Sequence, residues 1–160
     1  MHEVSVHRDI AVPAETAWEH LSAFGDVYKI HPFVTRSYVT GEDATGLGAT
    51  RVCVLDDGNE IAEQITEYRE GHGYTVSITD PGPFPLREAV ARIDVEPRAA
   101  GSRVSINMRF QPKFGPLGWL MAKAMMRREF GRRLGLLIEG MEEHAQTGRP
   151  VGAAVDDLAA

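Results

Sequence analysis

Between residues 33 and 111 the chain carries six segments of strand length, separated by short clusters of turn residues. The segments lie at about 33–40, 49–55, 60–69, 73–80, 86–96 and 102–111. The clusters between them read TGEDATGLG, DDGN, EGHG, DPGPFP and PRAAGS. Glycine, proline, aspartate and asparagine are the residues that turns favour, so this pattern predicts a run of antiparallel strands.

A strand and two short helices precede this region. Val4 and Val6 alternate with polar residues, which indicates a strand with one buried face. Pro13 ends that strand and suits the first turn of a helix. The apolar residues at helical spacing after it are Ala17, Trp18, Leu21 and Phe24. A second short helix is predicted over residues 25–30, and Pro32 ends it because the residue before a proline avoids the α region.

A long helix is predicted from about Pro116 to His144. Its apolar stripe comprises Leu120, Phe130, Leu134, Leu137, Ile138 and Met141. The order of elements predicts an α+β fold in which a curved antiparallel sheet of about seven strands wraps around the long helix. We expect one domain over residues 1–146 and a flexible tail over residues 147–160.

Composition excludes several classes of function. The formal net charge of −6 in 160 residues argues against a general affinity for nucleic acid, which requires a clustered positive face. The single cysteine, Cys53, cannot form an internal disulfide. The first residues lack the pattern of a secretory signal, and no apolar run reaches the roughly 20 residues that span a bilayer. We therefore expect a soluble, cytoplasmic protein.

Three stretches of sequence carry a family resemblance when they are taken together in this order. The first is VPAETAWEHLSAFGDVYKIHPFV, with Pro13 opening a helix, Trp18 five residues on, and His31 followed by Pro32. GLGATR precedes a strand, and EPRAAGSRVSINMRF lies near the end of the sheet. In these features residues 3 to 146 resemble the START-like (SRPBCC) superfamily, the polyketide cyclase/dehydrase and lipid-transport group.

The resemblance implies a helix-grip fold in which the sheet and the long helix enclose an apolar cavity. Members of the superfamily bind sterols, lipids, polyketides, plant hormones or quinones, and some are enzymes. A fold of this kind indicates a class of binding, whereas a reaction has to be argued from the site itself.

Glu63 is the first candidate for chemistry. If the hairpin after Leu55 turns on residues 56–59, Leu55 pairs with Glu60 and Val52 with Glu63. The carboxylate of Glu63 then lies on an apolar face with Val52, Val54, Ile61 and Ile65. An unpaired charge there is costly. Glu63 therefore either has a structural role, hydrated near the sheet edge or paired with an arginine, or it is a functional carboxylate that contacts a ligand in the cavity.

His31 is the second candidate, because the resemblance puts the junction between the second helix and the next strand at or near the cavity mouth. An imidazole there either exchanges protons with a ligand or donates to a ligand carbonyl, or it anchors the turn by a hydrogen bond to the backbone. If His31 and Glu63 converge on one ligand, the pair could act as base and electrostatic partner in an enolisation or dehydration.

The inward positions of the strands, together with the helix, predict the cavity wall, although the same pattern also fits a filled core. Tyr74 is the expected polar contact. The predicted ligand contacts are Phe24, Tyr28, Phe33, Val52, Val54, Ile61, Tyr74, Val76, Ile93, Ile106, Met108, Phe110, Leu120, Phe130 and Leu134.

The segment KFGPLGWLMAKAMMRREFGRR, residues 113–133, carries more apolar residues than one core stripe can bury. The candidates for docking on an anionic membrane or a partner are Trp119, Met125, Met126, Arg127 and Arg128. Alternatively, neighbouring loops cover the apolar residues and the arginines form a solvated rim.

Our interpretation is a protein that binds or transports a small hydrophobic ligand, such as a lipid, quinone or polyketide-like molecule, between the sheet and the C-terminal helix. The alternatives are a polyketide cyclase or dehydratase that uses His31 and Glu63, and an interaction module that docks through the segment around Trp119. The histidines lack metal-ligand spacing and no phosphate-binding glycine loop is present, so we expect no metal and no cofactor. No obligate protein partner is predicted.

Overall fold

A computed structural model describes residues 1–113 and 115–152, apart from the side chains of residues 119 and 121–123. The strands are β1 (His2–Ile10), β2 (Val34–Val39), β3 (Thr50–Leu55), β4 (Glu60–Arg69), β5 (Gly73–Asp80), β6 (Leu86–Arg98) and β7 (Gly101–Pro112). The helices are α1 (Ala14–Ser22), a 3₁₀ helix (Phe24–Lys29) and α2 (Gly115–Thr147). The strands form one sheet in the order β1-β7-β6-β5-β4-β3-β2, and every neighbouring pair is antiparallel. The predicted α+β fold is confirmed.

Helix α2 packs against β1 and β7 and also contacts α1. Its residues Leu137, Ile138 and Met141 are buried in the same core cluster as Val76 of β5 and Ile106 of β7. The apolar stripe predicted from helical spacing therefore faces the inner side of the sheet in this part of α2.

Helix α1 closes one end of the core. The carbonyl of Pro13 accepts a hydrogen bond from the N–H of Ala17 at 2.9 Å, so the proline stands where the helix begins. Trp18 is buried, and its ring lies 5.5 Å from that of Tyr68 and 6.3 Å from that of Tyr74, measured between centroids. These contacts join α1 to β4 and β5.

The β3–β4 hairpin differs from the sequence prediction by one residue of register. Arg51 pairs with Glu63 and Cys53 with Ile61, whereas Val52 was expected opposite Glu63. The N–H of Leu55 donates to the carbonyl of Asn59 at 2.8 Å, which leaves a loop of three residues, 56–58. Gly58 has a φ of +86°, the left-handed conformation that glycine supplies in three-residue hairpin loops.

This shift exchanges the two faces of β3, because side chains alternate along a strand. The prediction that Val52 and Val54 face inward is wrong: Arg51, Cys53 and Leu55 are the buried residues of the strand. Glu63, by contrast, lies on the inner face as expected.

The chain beyond α2 folds back onto the 3₁₀ helix. Val151 donates its N–H to the carbonyl of Lys29 at 3.0 Å, and Gly152 donates to that of Tyr28 at 2.9 Å. Gly140 of α2 lies so close to the carbonyl of Ile30 that a Cβ at this position would collide with it. Residues 148–152 are thus held in place, and residues 153–160 of the expected flexible tail lie outside the described part of the chain.

Candidate functional site

Two adjoining chambers lie between the inner face of the sheet and α2. The outer chamber has a volume of about 130 Å³ and the inner chamber about 100 Å³. The residues that line both are His31, Leu55, Ile61, Glu63, Ala91 and Leu134. The outer chamber is completed by Phe33, Ile78, Pro81, Phe84, Leu86, Met108, Phe130 and Arg133. The inner chamber is completed by Val27, Val34, Arg51, Cys53, Val76, Ile93, Ile106 and Leu137.

Three phenylalanine rings, those of Phe33, Phe84 and Phe130, contribute to the wall of the outer chamber. The ring of Phe130 on α2 packs edge-on against that of Phe110, with centroids 4.9 Å apart, and lies 6.4 Å from that of Phe84. Phe84 belongs to the segment between β5 and β6, so this loop and α2 together border the chamber. Phe33, Phe84 and Phe130 are all half-buried, which places this chamber nearer the surface than the inner one.

A buried ion pair forms one wall of the inner chamber. Arg51 donates from Nε to Glu63 Oε2 at 2.7 Å and from Nη1 to the carbonyl of Phe24 at 3.0 Å. Its guanidinium also lies over the ring of Phe24, 4.0 Å from the centroid. Burial is the largest single influence and opposes the charge of Arg51, but Glu63, together with the neighbouring Cys53 and Tyr74, outweighs it, so the pKa of Arg51 is raised. Glu63 thus pairs with an arginine, which is the structural alternative that the sequence left open.

Cys53 and Tyr74 lie beside this pair. The Cys53 thiol is 3.7 Å from Glu63 Oε2, and burial raises its pKa to about 12, so it stays protonated at neutral pH. Burial also raises the pKa of Tyr74, whose ring packs in the core against Trp18 and Phe24. Tyr74 does not line either chamber, so the polar contact expected from it is instead available from His31, Glu63 and two arginines.

His31 lies where the two chambers meet. Its Nδ1 accepts a hydrogen bond from the backbone N–H of Phe33 at 3.2 Å, so this ring does anchor the turn. Burial and, to a smaller extent, the charges of Arg51 and Arg133 together lower the pKa of His31 to about 3. The ring is therefore neutral at pH 7 and carries its proton on Nε2, since Nδ1 is the acceptor. It can donate a hydrogen bond to a ligand, whereas Nδ1 is already engaged and cannot act as a base.

Arg133 lies at the mouth of the outer chamber, on α2. Its Nε donates to Glu129 Oε1 at 2.8 Å, and its guanidinium lies 4.6 Å from the centroid of the Phe33 ring. Glu129 also pairs with Arg132 at 2.8 Å, and the hydrogen bonds from these two arginines lower its pKa to about 2. Unlike Arg51, Arg133 is a partly exposed cation that shares its carboxylate partner.

The structure brings together part of the predicted ligand site. Both candidates for catalysis, His31 and Glu63, line the chambers. The predicted apolar contacts that also do so are Phe33, Ile61, Val76, Ile93, Ile106, Met108, Phe130 and Leu134.

Other predicted contacts lie elsewhere. Phe24, Tyr74 and Phe110 are buried in the core, and Tyr28 packs against it at the 3₁₀ helix. Val52 and Val54 point to the outer face because of the register shift. Leu120 is 66% exposed, so the prediction that it contacts a ligand is wrong.

The residues predicted to dock on a membrane or a partner differ in their exposure. Met125 is exposed, as are Arg127 and Arg128, whereas Met126, like Phe130, packs against the buried cluster of Leu86, Ala89, Met108 and Phe110. The prediction for the side chain of Trp119 falls outside the described residues.

Sequence reasoning missed several residues of the site. Arg51, Cys53 and Leu55 were missed through the one-residue error in the turn, which the glycine of DDGN could have corrected. Arg133 carried no signal that distinguished it from the other arginines of α2, because its position at the mouth depends on how α2 lies across the sheet.

Within residues 1–113 and 115–152, no group of three or more His, Cys, Asp or Glu side chains could hold a metal ion. No helix in the same part of the chain is long and apolar enough to cross a membrane.

The comparison with family models identifies the class of protein. Residues 1–142 match the family of polyketide cyclases, dehydrases and lipid-transport proteins, and the chain belongs to this family. The resemblance seen in the sequence motifs is thereby confirmed. No curated protein matches the chain in sequence.

Solved structures share the helix-grip fold at low sequence identity. The aromatase/cyclase ZhuI from Streptomyces sp. R1128 is 14% identical, with a TM-score of 0.75 over 91% of this chain and 93% of its own. The protein XoxI from Bacillus cereus is 21% identical, with a TM-score of 0.71 over 88% of this chain and 96% of its own. Ara h 8.0201 is 17% identical, with a TM-score of 0.74 over 91% and 98%. Identities in this range establish the fold alone.

Proposed function

We propose that this protein binds or carries a small hydrophobic molecule in the two chambers between the sheet and α2. The observation that carries the proposal is the pair of adjoining apolar chambers, which meet at the polar side chains of His31 and Glu63. Apolar walls with a few polar groups are the usual composition of a small-molecule site. The family includes lipid-transport proteins, which agrees with this function.

The size of the chambers narrows the ligand class. An engineered apolar cavity of about 150 Å³ holds one benzene molecule. The outer chamber, at about 130 Å³, therefore suits one ring or a short chain, and a longer ligand would extend into the inner chamber. Among lipids, quinones and polyketide-like molecules, those with a single ring or a narrow chain fit best. The cytoplasmic location expected from the sequence stays a prediction.

The direct test combines identification of a retained ligand with a blocked cavity. Protein purified from its own host is measured by native mass spectrometry, and any bound molecule is extracted and identified. Ala91 lines both chambers, so Ala91→Leu should fill the space and abolish retention. Ala62→Leu is the matched control, because Ala62 lies on the neighbouring part of the sheet with its side chain on the outer face. Equal retention in both variants would argue against a ligand in these chambers.

A cyclase or dehydratase activity is the second candidate. It is favoured by the neutral His31, whose Nε2–H lies at the junction of two apolar chambers and could stabilise a developing enolate oxygen. The ion pair with Arg51 argues against Glu63 as a free base, so a water molecule in the chamber would have to accept the proton from the α-carbon. Deuterium incorporation from D₂O into the methyl group of acetophenone, followed by NMR, tests for enolisation. We expect exchange above the buffer rate that is lost in His31→Ala; exchange equal to buffer would remove this candidate.

Peripheral docking on an anionic membrane is favoured by one surface. Leu117, Leu120 and Met125 of α2 are 80%, 66% and 71% exposed, and Arg127 and Arg128 are exposed beside them. Exposed apolar side chains next to cations are typical of an interfacial segment. Leu120→Ser with Met125→Ser should reduce co-sedimentation with phosphatidylglycerol vesicles, whereas Leu47→Ser, at an exposed loop leucine, should not. Equal binding to phosphatidylcholine vesicles would contradict docking through the arginines.

A further inference from the structure

One end of the outer chamber is polar, and the side chains at this end favour a negatively charged ligand. His31 and Arg133 both line it, and Phe33 links them. The ring of Phe33 lies edge-on to His31 with centroids 6.0 Å apart, and the Arg133 guanidinium lies over the same ring. The two side chains are thereby held at the same side of the chamber.

Both of these side chains offer hydrogen-bond donors. His31 presents Nε2–H, because Nδ1 accepts from the backbone of Phe33. A guanidinium has five N–H donors, and the bond from Nε to Glu129 uses one of them. These donors favour a ligand that supplies oxygen acceptors.

The charges around this end also favour an anion. The charged groups that lower the pKa of His31 are Arg51 and Arg133, one from each chamber. Arg51 is neutralised by Glu63 at 2.7 Å within the protein. Arg133 interacts with Glu129 and with Asp57, whose side chains lie in solvent where screening is strong, and Glu129 is shared with Arg132.

We infer that the outer chamber binds an anionic ligand of about one ring, such as an aromatic carboxylate or enolate, with its oxygens at His31 and Arg133 and its ring against Phe84 and Phe130. A carboxylate matches the planar guanidinium in shape and charge. This inference rests on the proposed function and adds the charge of the ligand to it.

Three probes of nearly equal shape test the charge separately from the cavity: benzoate, benzamide and benzamidine, which are anionic, neutral and cationic at pH 7. Titrations of the full chain followed by NMR chemical shifts give each dissociation constant. We expect benzoate to bind about tenfold more tightly than benzamide, which corresponds to about 1.4 kcal/mol in binding free energy. Benzamidine should bind most weakly. Shifted signals should include Ala91 and Leu134, which line both chambers.

Two neighbouring arginines supply the matched variants. Arg133→Gln should weaken benzoate about tenfold and leave benzamide unchanged, whereas Arg132→Gln should change benzoate less than threefold. Arg132 also lies over the Phe33 ring, at 5.3 Å, but does not line the chamber.

The outcomes separate the two proposals. If benzamide binds as well as benzoate, or if Arg132→Gln and Arg133→Gln weaken benzoate equally, the anionic ligand is wrong while the cavity function stands. If none of the probes shifts the cavity signals, both are wrong.

Discussion

Two arginines border the same pair of chambers under opposite conditions. The side chain of Arg51 is 7% exposed and bound to Glu63, to a carbonyl and to the face of Phe24. The side chain of Arg133 is 28% exposed and shares Glu129 with a neighbouring arginine. A buried charge requires a full set of partners, because desolvation otherwise costs several kcal/mol. A charge at the mouth of the chamber stays hydrated, so it can remain available to bind a ligand without destabilising the fold.

The comparison assigns different roles to the two cations. Arg51 belongs to the structure of the inner chamber, whereas Arg133 is the group that can recognise a ligand. Three predictions test this division, and they follow in order of expected effect.

Removal of either member of the inner pair should have the largest effect. Glu63→Gln leaves the charge of Arg51 buried without its carboxylate, so we expect a loss of about 3–5 kcal/mol in the free energy of unfolding. Arg51→Met should cost a similar amount, and Arg51→Met combined with Glu63→Gln should cost much less than the sum. Urea denaturation of the four proteins gives the coupling energy.

An exposed pair of the same length is the control for this cycle. Arg103 Nε lies 2.7 Å from Asp9 Oδ1, but the two side chains are 36% and 61% exposed. Asp9→Asn should therefore lower the free energy of unfolding far less than Glu63→Gln does. If the free energy of unfolding falls by similar amounts at the two pairs, burial does not make the ion pair of Arg51 different from a surface ion pair.

Acid should weaken the fold through His31, which stands between the two cations. Its pKa in the folded protein is about 3, below the ordinary value of 6.5, so the unfolded chain takes up a proton that the folded chain excludes. The contribution of the neutral His31 to the free energy of unfolding is fully present above pH 6.5. As the pH falls towards 3, this contribution decreases by up to about 1.4 kcal/mol per pH unit, which amounts to about 2 kcal/mol by pH 5.

His31→Gln should remove this part of the pH dependence. Urea denaturation at pH 7, 6 and 5 measures the slope for both proteins. His7→Gln, at an exposed position on β1, should keep the slope of the original chain. Parallel slopes for His31→Gln and the original chain would mean that the imidazole is not held neutral at the junction of the chambers.

The smallest stability change is expected at the mouth. Glu129 is an exposed partner of Arg132 and Arg133, so Glu129→Gln should alter the free energy of unfolding by about 1 kcal/mol or less. The same change leaves Arg133 without its carboxylate, so benzoate should bind severalfold more tightly. Thermal denaturation and the NMR titration measure the two effects, and weaker benzoate binding would contradict a ligand role for Arg133.

The local pattern of the sequence determined the elements of the fold. Turn clusters and apolar alternation located β2 to β7 within a few residues, and helical spacing located α2. Such signals are local, because period and turn chemistry act between residues that are near in the chain. The family resemblance then indicated the enclosing arrangement of sheet and helix and put His31 near the cavity mouth, whereas the inward position of Glu63 followed from alternation along its strand.

Tertiary structure decided which side chains meet at the site. One residue in the loop after Leu55, with Gly58 in a left-handed conformation, exchanged Val52 and Val54 for Arg51 and Cys53 on the inner face. The position of Arg133 depends on how α2 crosses the sheet. The register of this hairpin depends on the conformation of its turn, to which Gly58 is the one local clue. The placement of α2 is set by contacts between residues far apart in the chain, and a pattern read along the sequence does not contain them.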